Sequence, residues 1–223
     1  MSARRAWLRS RTNWAAVTAV VLALLFAGAA AVASSGGGAP EGARTPAADS
    51  ADAGFARDMS VHHQQAVEMS FIVRDRTKDA DVRRLAYDIA NTQANQRGMM
   101  LGWLERWGLP KVAPDQQPMA WMGMPGQGDG HGGDGHGAKA PLMPGMATEE
   151  QLAELGSASG RDAEVLYLRL MTAHHQGGVH MAEGCVERCG DEVQRKLAQG
   201  MVDAQESEIA LMADLLRQRG AKD

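Results

Sequence analysis

The 223-residue sequence predicts an all-α protein, a four-helix bundle made of two duplicated helical hairpins. The first observation is a repeated motif: VHHQQAVEM at Val61–Met69 returns as AHHQGGVHM at Ala173–Met181. The second is that one offset, 112 positions, aligns the two halves without a gap over about fifty residues, which indicates duplication of a structural unit. The third is the three- and four-residue spacing of apolar residues in both copies, which is typical of amphipathic helices. Two hairpins of two helices each make a four-helix bundle.

The N-terminal segment, residues 1–33, predicts export. Its basic stretch MSARRAWLRSR precedes an uncharged apolar run, Trp14–Ala33, which ends in a small-x-small tripeptide. The run fits a cleaved signal peptide, and it is also long enough for a membrane anchor, since one span needs about 20 residues. Both alternatives place the rest of the chain outside the cytoplasm, either secreted or anchored to the outer face of the cytoplasmic membrane.

Composition divides the remainder of the chain into a linker and one domain. The segment after the apolar run is rich in Gly, Ala, Pro and Ser, as flexible linkers are. A second Gly- and Pro-rich stretch separates the two repeats and shows no apolar periodicity, so we expect an unpacked loop there. The predicted boundaries are linker 34–53 and bundle domain 54–220, the latter divided into repeat one 54–108, a Met/His/Gly-rich loop 109–147 and repeat two 148–220.

Each repeat predicts two helices. The first helix carries the His-His motif and ends near RTKDAD in repeat one and near ERCGDE in repeat two. The second helix shows apolar residues at helical spacing, and Gly108 ends it in repeat one. Thr148 and Gln151 form a capping box, which predicts a short extra helix over about 148–155.

The His-His motif places imidazoles and thioethers on one face of the first helix of each repeat. This follows from the turn of about 100° per residue in an α-helix. If the bundle follows the repeat, the two faces meet in the core and their side chains converge. The candidate metal ligands are Met59, His62, His63, Met69, Met171, His174, His175 and Met181.

Polar residues on the inward stripe of the second helices are candidate hydrogen-bond partners of the imidazole N–H groups. An alternative is that these residues and the four imidazoles form a purely structural polar network, since buried polar groups need partners. The residues are Gln93, Gln96, Gln205 and Glu208.

The donor set favours copper, above all Cu(I), as the bound ion. A di-iron bundle uses Glu and Glu-x-x-His ligands, and neither His pair has a Glu three residues before it. Zinc accepts imidazole but rarely thioether, whereas His together with Met suits Cu(I). The loop carries further Met and His among Gly and Pro, where we expect no core to fill; the alternative is a disordered loop with Met by chance. The candidate auxiliary ligands of the loop are Met119, Met122, Met124, His131, His136, Met143 and Met146.

Cys185 and Cys189 are the two cysteines of the chain and leave two alternatives open. Outside the cytoplasm two cysteines usually pair. A disulfide across one regular helical turn is geometrically awkward, but we expect the helix to break near Gly190. The other alternative is a pair of soft thiolate ligands. Val73 and Thr77 hold these positions in repeat one, so the cysteines do not belong to the common repeat.

The charge balance argues against a nucleic-acid partner. The net charge is −4, and four of the basic residues are arginines ahead of the apolar run, so the rest of the chain is more acidic still. Neither a Ser-His-Asp arrangement nor a phosphate loop is visible. We expect a metal ion as ligand, a membrane tether through residues 14–33 if the run is retained, and a protein partner that the sequence does not identify.

The doubled motif resembles that of a known family, domain of unknown function 305. Its paired motif is similar to FARDMSVHHQQAVEM and YLRLMTAHHQGGVHMA, and the likeness extends to NTQANQRGMMLGWL, DAQESEIALM and MPGM over residues 54–220. The resemblance implies a ferritin-like four-helix bundle, export from a bacterium and, for some members, binding of or tolerance to copper or silver. It implies the same eight His and Met side chains as ligands. Leu170 stands where repeat one has Asp58 and where the family often has an acid, so repeat two departs from the pattern there.

These observations predict an extracytoplasmic protein that sequesters or delivers Cu(I) or Ag(I) through His and Met ligands in the bundle core, without enzymatic turnover. Two alternatives stay open. One is a ferritin-like, metal-dependent redox enzyme, which the missing Glu-x-x-His pattern disfavours. The other is a structural or interaction module that binds no metal and whose buried His network only fixes the bundle.

Overall fold

The computed structural model of the protein describes residues 45–123 and 142–221, and these ranges contain α-helices but no β-strand. The first two helices of the chain form one hairpin and the last two form the other, and the first helix of each hairpin packs on that of the other hairpin. The predicted all-α four-helix bundle is therefore confirmed. The elements are α1 (Ala51–Arg76), α2 (Ala80–Arg106), a 3-10 turn (Ala120–Met122), α3 (Glu149–Ser157), α4 (Gly160–Arg188) and α5 (Glu192–Gln218).

Side-chain caps set where the bundle helices begin. The Ser50 hydroxyl caps α1, which starts at Ala51 rather than at the predicted Gly54. Asp79 caps α2 and Asp191 caps α5, each by accepting from backbone N–H groups of the first turn. The two aspartates are equivalent positions of the repeats, so both hairpin turns end in the same way.

The apolar core consists of two clusters along the bundle. The first cluster contains Met59 of α1 together with Met181 of α4. The second cluster contains Met69 of α1 together with Met171 of α4. The start of one motif therefore pairs with the end of the other, so α1 and α4 run antiparallel. The His-His pairs lie between these methionines on both helices and hence between the two clusters.

The connection between the repeats is packed where the structure describes it, which corrects the expectation of an unpacked loop. Met119, Met122 and Met143 are buried in the first cluster, and Met146 packs against it. These methionines do fill a core. The sequence shows no periodicity here because single side chains, rather than regular helical packing, hold the segment. The predicted short helix is present as α3, with the expected capping box of Thr148 and Gln151.

Several predicted features lie outside the described residues. They are the signal peptide or anchor at 1–33, the first part of the linker at 34–44, and the loop candidates Met124, His131 and His136. Within the ranges that the structure describes, no helix is both long and apolar enough to cross a membrane.

Candidate metal centre

The two His-His pairs meet in the middle of the bundle. The rings of His62 and His174 face each other, with centroids 3.8 Å apart and an angle of 35° between their planes. The centroid of the His175 ring lies 6.3 Å from that of His174. All four imidazoles, including that of His63, are fully buried. We call these four side chains the histidine layer.

Two imidazoles of the histidine layer contact backbone carbonyl groups. The Nε2–H group of His62 donates to the carbonyl oxygen of Pro144 at 3.1 Å. The Nε2–H group of His174 donates to the carbonyl oxygen of His62 at 3.0 Å. A carbonyl oxygen can only accept, so these contacts place the ring proton on Nε2.

The other two imidazoles contact side chains of the second helices. His63 Nε2–H donates to Gln96 Oε1 on α2 at 2.8 Å. His175 Nε2–H donates to Glu208 Oε2 on α5 at 2.6 Å. Both acceptors are among the hydrogen-bond partners proposed from the sequence, and again the ring proton lies on Nε2.

The remaining nitrogen of each ring, Nδ1, has no hydrogen-bond partner among the described residues, although all four atoms are buried. A neutral imidazole with its proton on Nε2 carries an unshared electron pair on Nδ1. Leaving a buried acceptor unsatisfied costs about 1–3 kcal/mol. The histidine layer therefore holds four electron pairs that a proton, a water molecule or a metal ion could satisfy.

Burial keeps the rings of His62, His63 and His174 neutral. It lowers the pKa of His62 to about 4, although the Pro144 carbonyl opposes the shift. Burial, reinforced by the charge of His62, lowers the pKa of His63 to about 3. Burial and the neighbouring imidazoles lower the pKa of His174 well below its ordinary value. At neutral pH these rings therefore present electron pairs rather than protons.

Thioethers lie on both sides of the histidine layer. Met59 and Met181 are fully buried in the first cluster, and Met69 and Met171 are fully buried in the second. All eight His and Met side chains that the sequence singles out are therefore buried in the bundle, with the imidazoles between the methionines of the two clusters.

Two glutamines of the predicted partner set are buried but do not bond to the imidazoles. Both amide atoms of Gln93 and the Oε1 atom of Gln205 have no partner among the described residues. Gln205 lies against Gly178 of α4, where an added Cβ would come within 2.4 Å of Gln205 Oε1. The small residue after the His pair therefore leaves room for the amide, and these unpaired amide atoms add polar groups to the core.

Part of the connection crosses α4 and supplies one acceptor of the histidine layer. We call this part, Met143–Ala147, the crossing segment. A Cβ at Gly177 would lie 1.9 Å from the Pro144 carbonyl oxygen, and a Cβ at Gly145 would lie 2.2 Å from the Ala173 carbonyl oxygen. Two glycines thus allow backbone to pass directly over backbone, which delivers the Pro144 carbonyl to His62.

Gln65 fixes the crossing segment from the side of α1. Its amide donates to the carbonyl oxygen of Ala147 at 2.9 Å and accepts from the backbone N–H of Ala147 at 2.7 Å. Repeat two has Gly177 at the equivalent position. The sequence analysis missed the anchoring role of Gln65 and the role of Gly177 in making room for the crossing segment. The change of HHQQA into HHQGG between the repeats could have indicated both.

Asp58 holds the other described part of the connection. Its Oδ2 atom accepts from the Met119 backbone N–H at 2.8 Å and from Trp121 Nε1–H at 2.9 Å. Burial raises the pKa of Asp58, against the opposing effect of these two bonds. Met119 adopts a left-handed backbone conformation with φ 68°, which is rare outside glycine. Leu170, the equivalent residue of repeat two, is buried in the second cluster among apolar side chains.

Cys185 and Cys189 form a disulfide at the end of α4, and both are buried. The alternative role of these two residues as thiolate ligands is therefore corrected, because a disulfide sulfur carries no thiolate charge. The helix ends at Arg188, so the second cysteine lies outside the last helical turn. Because the chain leaves the helix there, the disulfide does not have to bridge a regular helical turn.

The described residues do not contain a group of three or more His, Cys, Asp or Glu side chains arranged to hold a metal ion. A carboxylate-rich di-iron centre is therefore not formed by these parts of the chain. The eight buried side chains that the sequence singles out carry imidazole nitrogens and thioether sulfurs, and this combination of donors suits a soft monovalent ion.

The chain is similar to a family of bacterial proteins and to several solved structures. The family model described as domain of unknown function (DUF305) matches residues 52–216. A DUF305 protein from Streptomyces coelicolor, described as secreted, is 66% identical, covers 79% of this chain and 98% of its own, and has a TM-score of 0.71. A DUF305 fragment from Deinococcus radiodurans is 30% identical, with 75% and 96% of the two chains covered and a TM-score of 0.59.

The fold is also similar to that of CopM in its Cu(I)-bound form. The identity is 21%, the alignment covers 75% of this chain and 96% of that one, and the TM-score is 0.56. CopM has also been solved in Ag-bound, Cu(II)-bound and apo forms. No curated protein matches the chain.

Proposed function

Because the chain belongs to the DUF305 family and carries a buried layer of four imidazoles, we propose that it binds a soft monovalent metal ion, Cu(I) or Ag(I), and sequesters or delivers it outside the cytoplasm. The proposed ligands are the Nδ1 atoms of the histidine layer and the four thioethers that flank it.

The unpaired Nδ1 atoms carry this proposal. Each Nε2–H group already has an acceptor, so an incoming group at Nδ1 must accept an electron pair rather than donate one. The lowered pKa values of His62 and His63 disfavour a proton in that role. A metal ion binds neutral imidazole and needs no proton release here, since the rings are neutral beforehand.

The sulfur atoms point to the class of ion. Thioether is a soft ligand and imidazole an intermediate one, which together select Cu(I) over Mg²⁺, Ca²⁺ or Zn²⁺. CopM, which shares this fold at low identity, has been solved with Cu(I) and with Ag bound. Sequestration or delivery fits donors that are fully buried, because a buried ion is protected from competing ligands until the packed connection opens.

Export is part of the proposal. The Streptomyces coelicolor relative is described as secreted, and the Cys185–Cys189 disulfide suits an oxidising compartment. A second candidate function, a structural polar layer that binds no metal, is favoured by the complete set of Nε2 hydrogen bonds.

The test is a titration of Cu(I) into the protein against a colorimetric Cu(I) chelator under anaerobic, reducing conditions. We expect tight binding that is weakened at least tenfold when Met59, Met69, Met171 and Met181 are all replaced by Leu. Leu is close to Met in volume and keeps the core filled. Met212→Leu is the matched control, because this methionine is equally buried in the second cluster but is not a proposed ligand; it should bind as the wild type does.

The outcomes separate the two candidates. Tight binding that the quadruple variant retains would remove the four thioethers from the proposed set of ligands. Absence of tight binding in the folded wild-type protein would leave the structural polar layer as the function of the four imidazoles.

A further inference from the structure

The two halves of the histidine layer differ in the charge of one hydrogen-bond acceptor. His63 and His175 are equivalent positions of the repeat, and so are their acceptors, Gln96 and Glu208. In repeat one the ring N–H meets a neutral amide oxygen at 2.8 Å, and in repeat two it meets a carboxylate oxygen at 2.6 Å. The nearby Gln93 and Gln205 are identical between the repeats. Equivalent imidazoles of the two half-sites therefore have acceptors of different charge.

A carboxylate acts on the imidazole more strongly than an amide does. A charge-assisted hydrogen bond is shorter and about twice as strong as a neutral one. By drawing on the Nε2 proton it raises the basicity of the opposite nitrogen, as acidic partners of metal-bound histidines do. The Nδ1 atom of His175 is thus the stronger donor of the pair, and the negative charge of Glu208 stabilises a cation buried beside it.

We infer that the two half-sites are unequal, and that Glu208, as a positioning residue behind His175, makes the His175 half the one that takes the first metal ion. This inference rests on the proposed function. The amide of Gln96 leaves the His63 half weaker, so the layer fills in order rather than as two equal sites. Although the two repeats are similar, the His175 half-site has the higher affinity for the metal ion and the His63 half-site the lower.

The test exchanges the two acceptors. Glu208→Gln copies the residue that repeat one already uses, so the hydrogen bond to His175 and the fold are expected to persist. We expect the affinity for the first ion to fall between tenfold and a hundredfold, in the range of about 10–100-fold seen for acceptors behind metal-bound histidines. Adding Gln96→Glu to this variant should restore the affinity, now at His63. Glu206→Gln removes an exposed acid two residues away on α5 and controls for net charge; it should change nothing.

The probe is Ag(I), supplied as silver nitrate, which avoids redox chemistry. Nitrogen-15 NMR of the imidazoles reports which Nδ1 atom binds. In the wild type the first equivalent should shift the His175 signal before that of His63, and in the exchanged double variant the order should reverse. Equal shifts of both rings, or an unchanged affinity of Glu208→Gln, would overturn the inference while leaving metal binding intact. Failure of the wild type to bind Ag(I) or Cu(I) at all would overturn the proposed function and this inference with it.

Discussion

The histidine layer predicts that the metal-free protein loses stability in mild acid. The unfolded chain protonates its histidines near pH 6.5, whereas the folded chain holds the pKa of His62 at about 4 and that of His63 at about 3. The unfolded state therefore binds more protons below pH 6.5, so the free energy of unfolding falls as the pH falls. The contribution is complete above pH 6.5 and is lost progressively between pH 6.5 and about 4 for His62, and down to about 3 for His63.

The size of the effect follows from the same shifts. At pH 5 each such ring destabilises the folded state by about 2 kcal/mol relative to neutral pH. His174, whose pKa burial lowers well below its ordinary value, adds to the loss in the same direction. The rings of His62 and His63 together give about 4 kcal/mol, which approaches the whole stability of a typical domain, about 5–15 kcal/mol. We expect the metal-free protein to be largely unfolded in moderate urea at pH 5 and stable in the same urea at pH 7.

The assay is urea denaturation followed by circular dichroism at pH 7, 6 and 5 in the presence of a chelator. The His62→Phe, His174→Phe double variant keeps an aromatic pair but removes two titrating groups, so its loss of stability between pH 7 and 5 should be smaller, by about 2 kcal/mol from His62 alone. His180→Gln changes a histidine outside the layer and should leave the pH dependence as it is. A wild-type free energy that stays constant from pH 7 to 5, or an equal loss in the Phe variant, would refute the reasoning.

Three further predictions concern the parts that hold the connection and the hairpin end. Gly177→Ala should lower the free energy of unfolding by about 1–3 kcal/mol, because the added methyl group clashes with the Pro144 carbonyl. Gly200 is exposed on α5 with open space around it, so Gly200→Ala should raise the free energy of unfolding by about 0.5–1 kcal/mol. Thermal melting of both variants checks this pair of predictions. Asp58→Leu, which copies repeat two, strands two buried donors and should lose about 2–4 kcal/mol in urea denaturation; an unchanged midpoint would contradict its anchoring role. Replacing both cysteines by Ser removes a short loop constraint and should lower the free energy of unfolding by about 2 kcal/mol, while the Cu(I) affinity stays the same; a changed affinity would contradict a purely structural role of the disulfide.

The sequence predicted the bundle and the inward placement of its His and Met side chains because both depend on periodicity. A doubled motif with a constant offset fixes which helix faces meet, and the 3.6-residue period fixes which residues lie on them. His62 and His174 stack for this reason. The acceptors Gln96 and Glu208 were within reach of the same argument, since they lie on the inward stripe of the second helices.

The connection between the repeats was not predictable in this way. Its position depends on single contacts, such as those of Asp58 with the Met119 backbone and of Gln65 with Ala147. A contact of one side chain with a distant backbone group leaves no period in the sequence. The methionines of the connection were consequently assigned to an unpacked loop, although Met122 lies in the first cluster.

The place where the connection packs can nevertheless be found from the differences between the repeats. One connecting chain can pack on a pair of equivalent hairpins only if the residues that contact it differ between the two repeats. Three glycines lie so close to atoms of the connection that an added Cβ would clash with them. In each case the equivalent position of the other repeat holds a larger residue. The pairs are Gly54 under Trp121 against Leu166, Gly177 under Pro144 against Gln65, and Gly184 under Met122 against Ile72.

This pattern separates two kinds of position in a duplicated domain. Positions that the repeats share, such as the His-His pairs, serve the common core. Other positions hold a small residue in one repeat and a large residue at the equivalent place in the other. These positions mark where a segment outside the repeats packs against the repeat that has the small residue. Glu208 against Gln96 is a difference of another kind, because both side chains bond to the histidine layer and are close in volume. It concerns charge rather than volume, and for this reason we connect it with the proposed metal ion rather than with the packing of the connection.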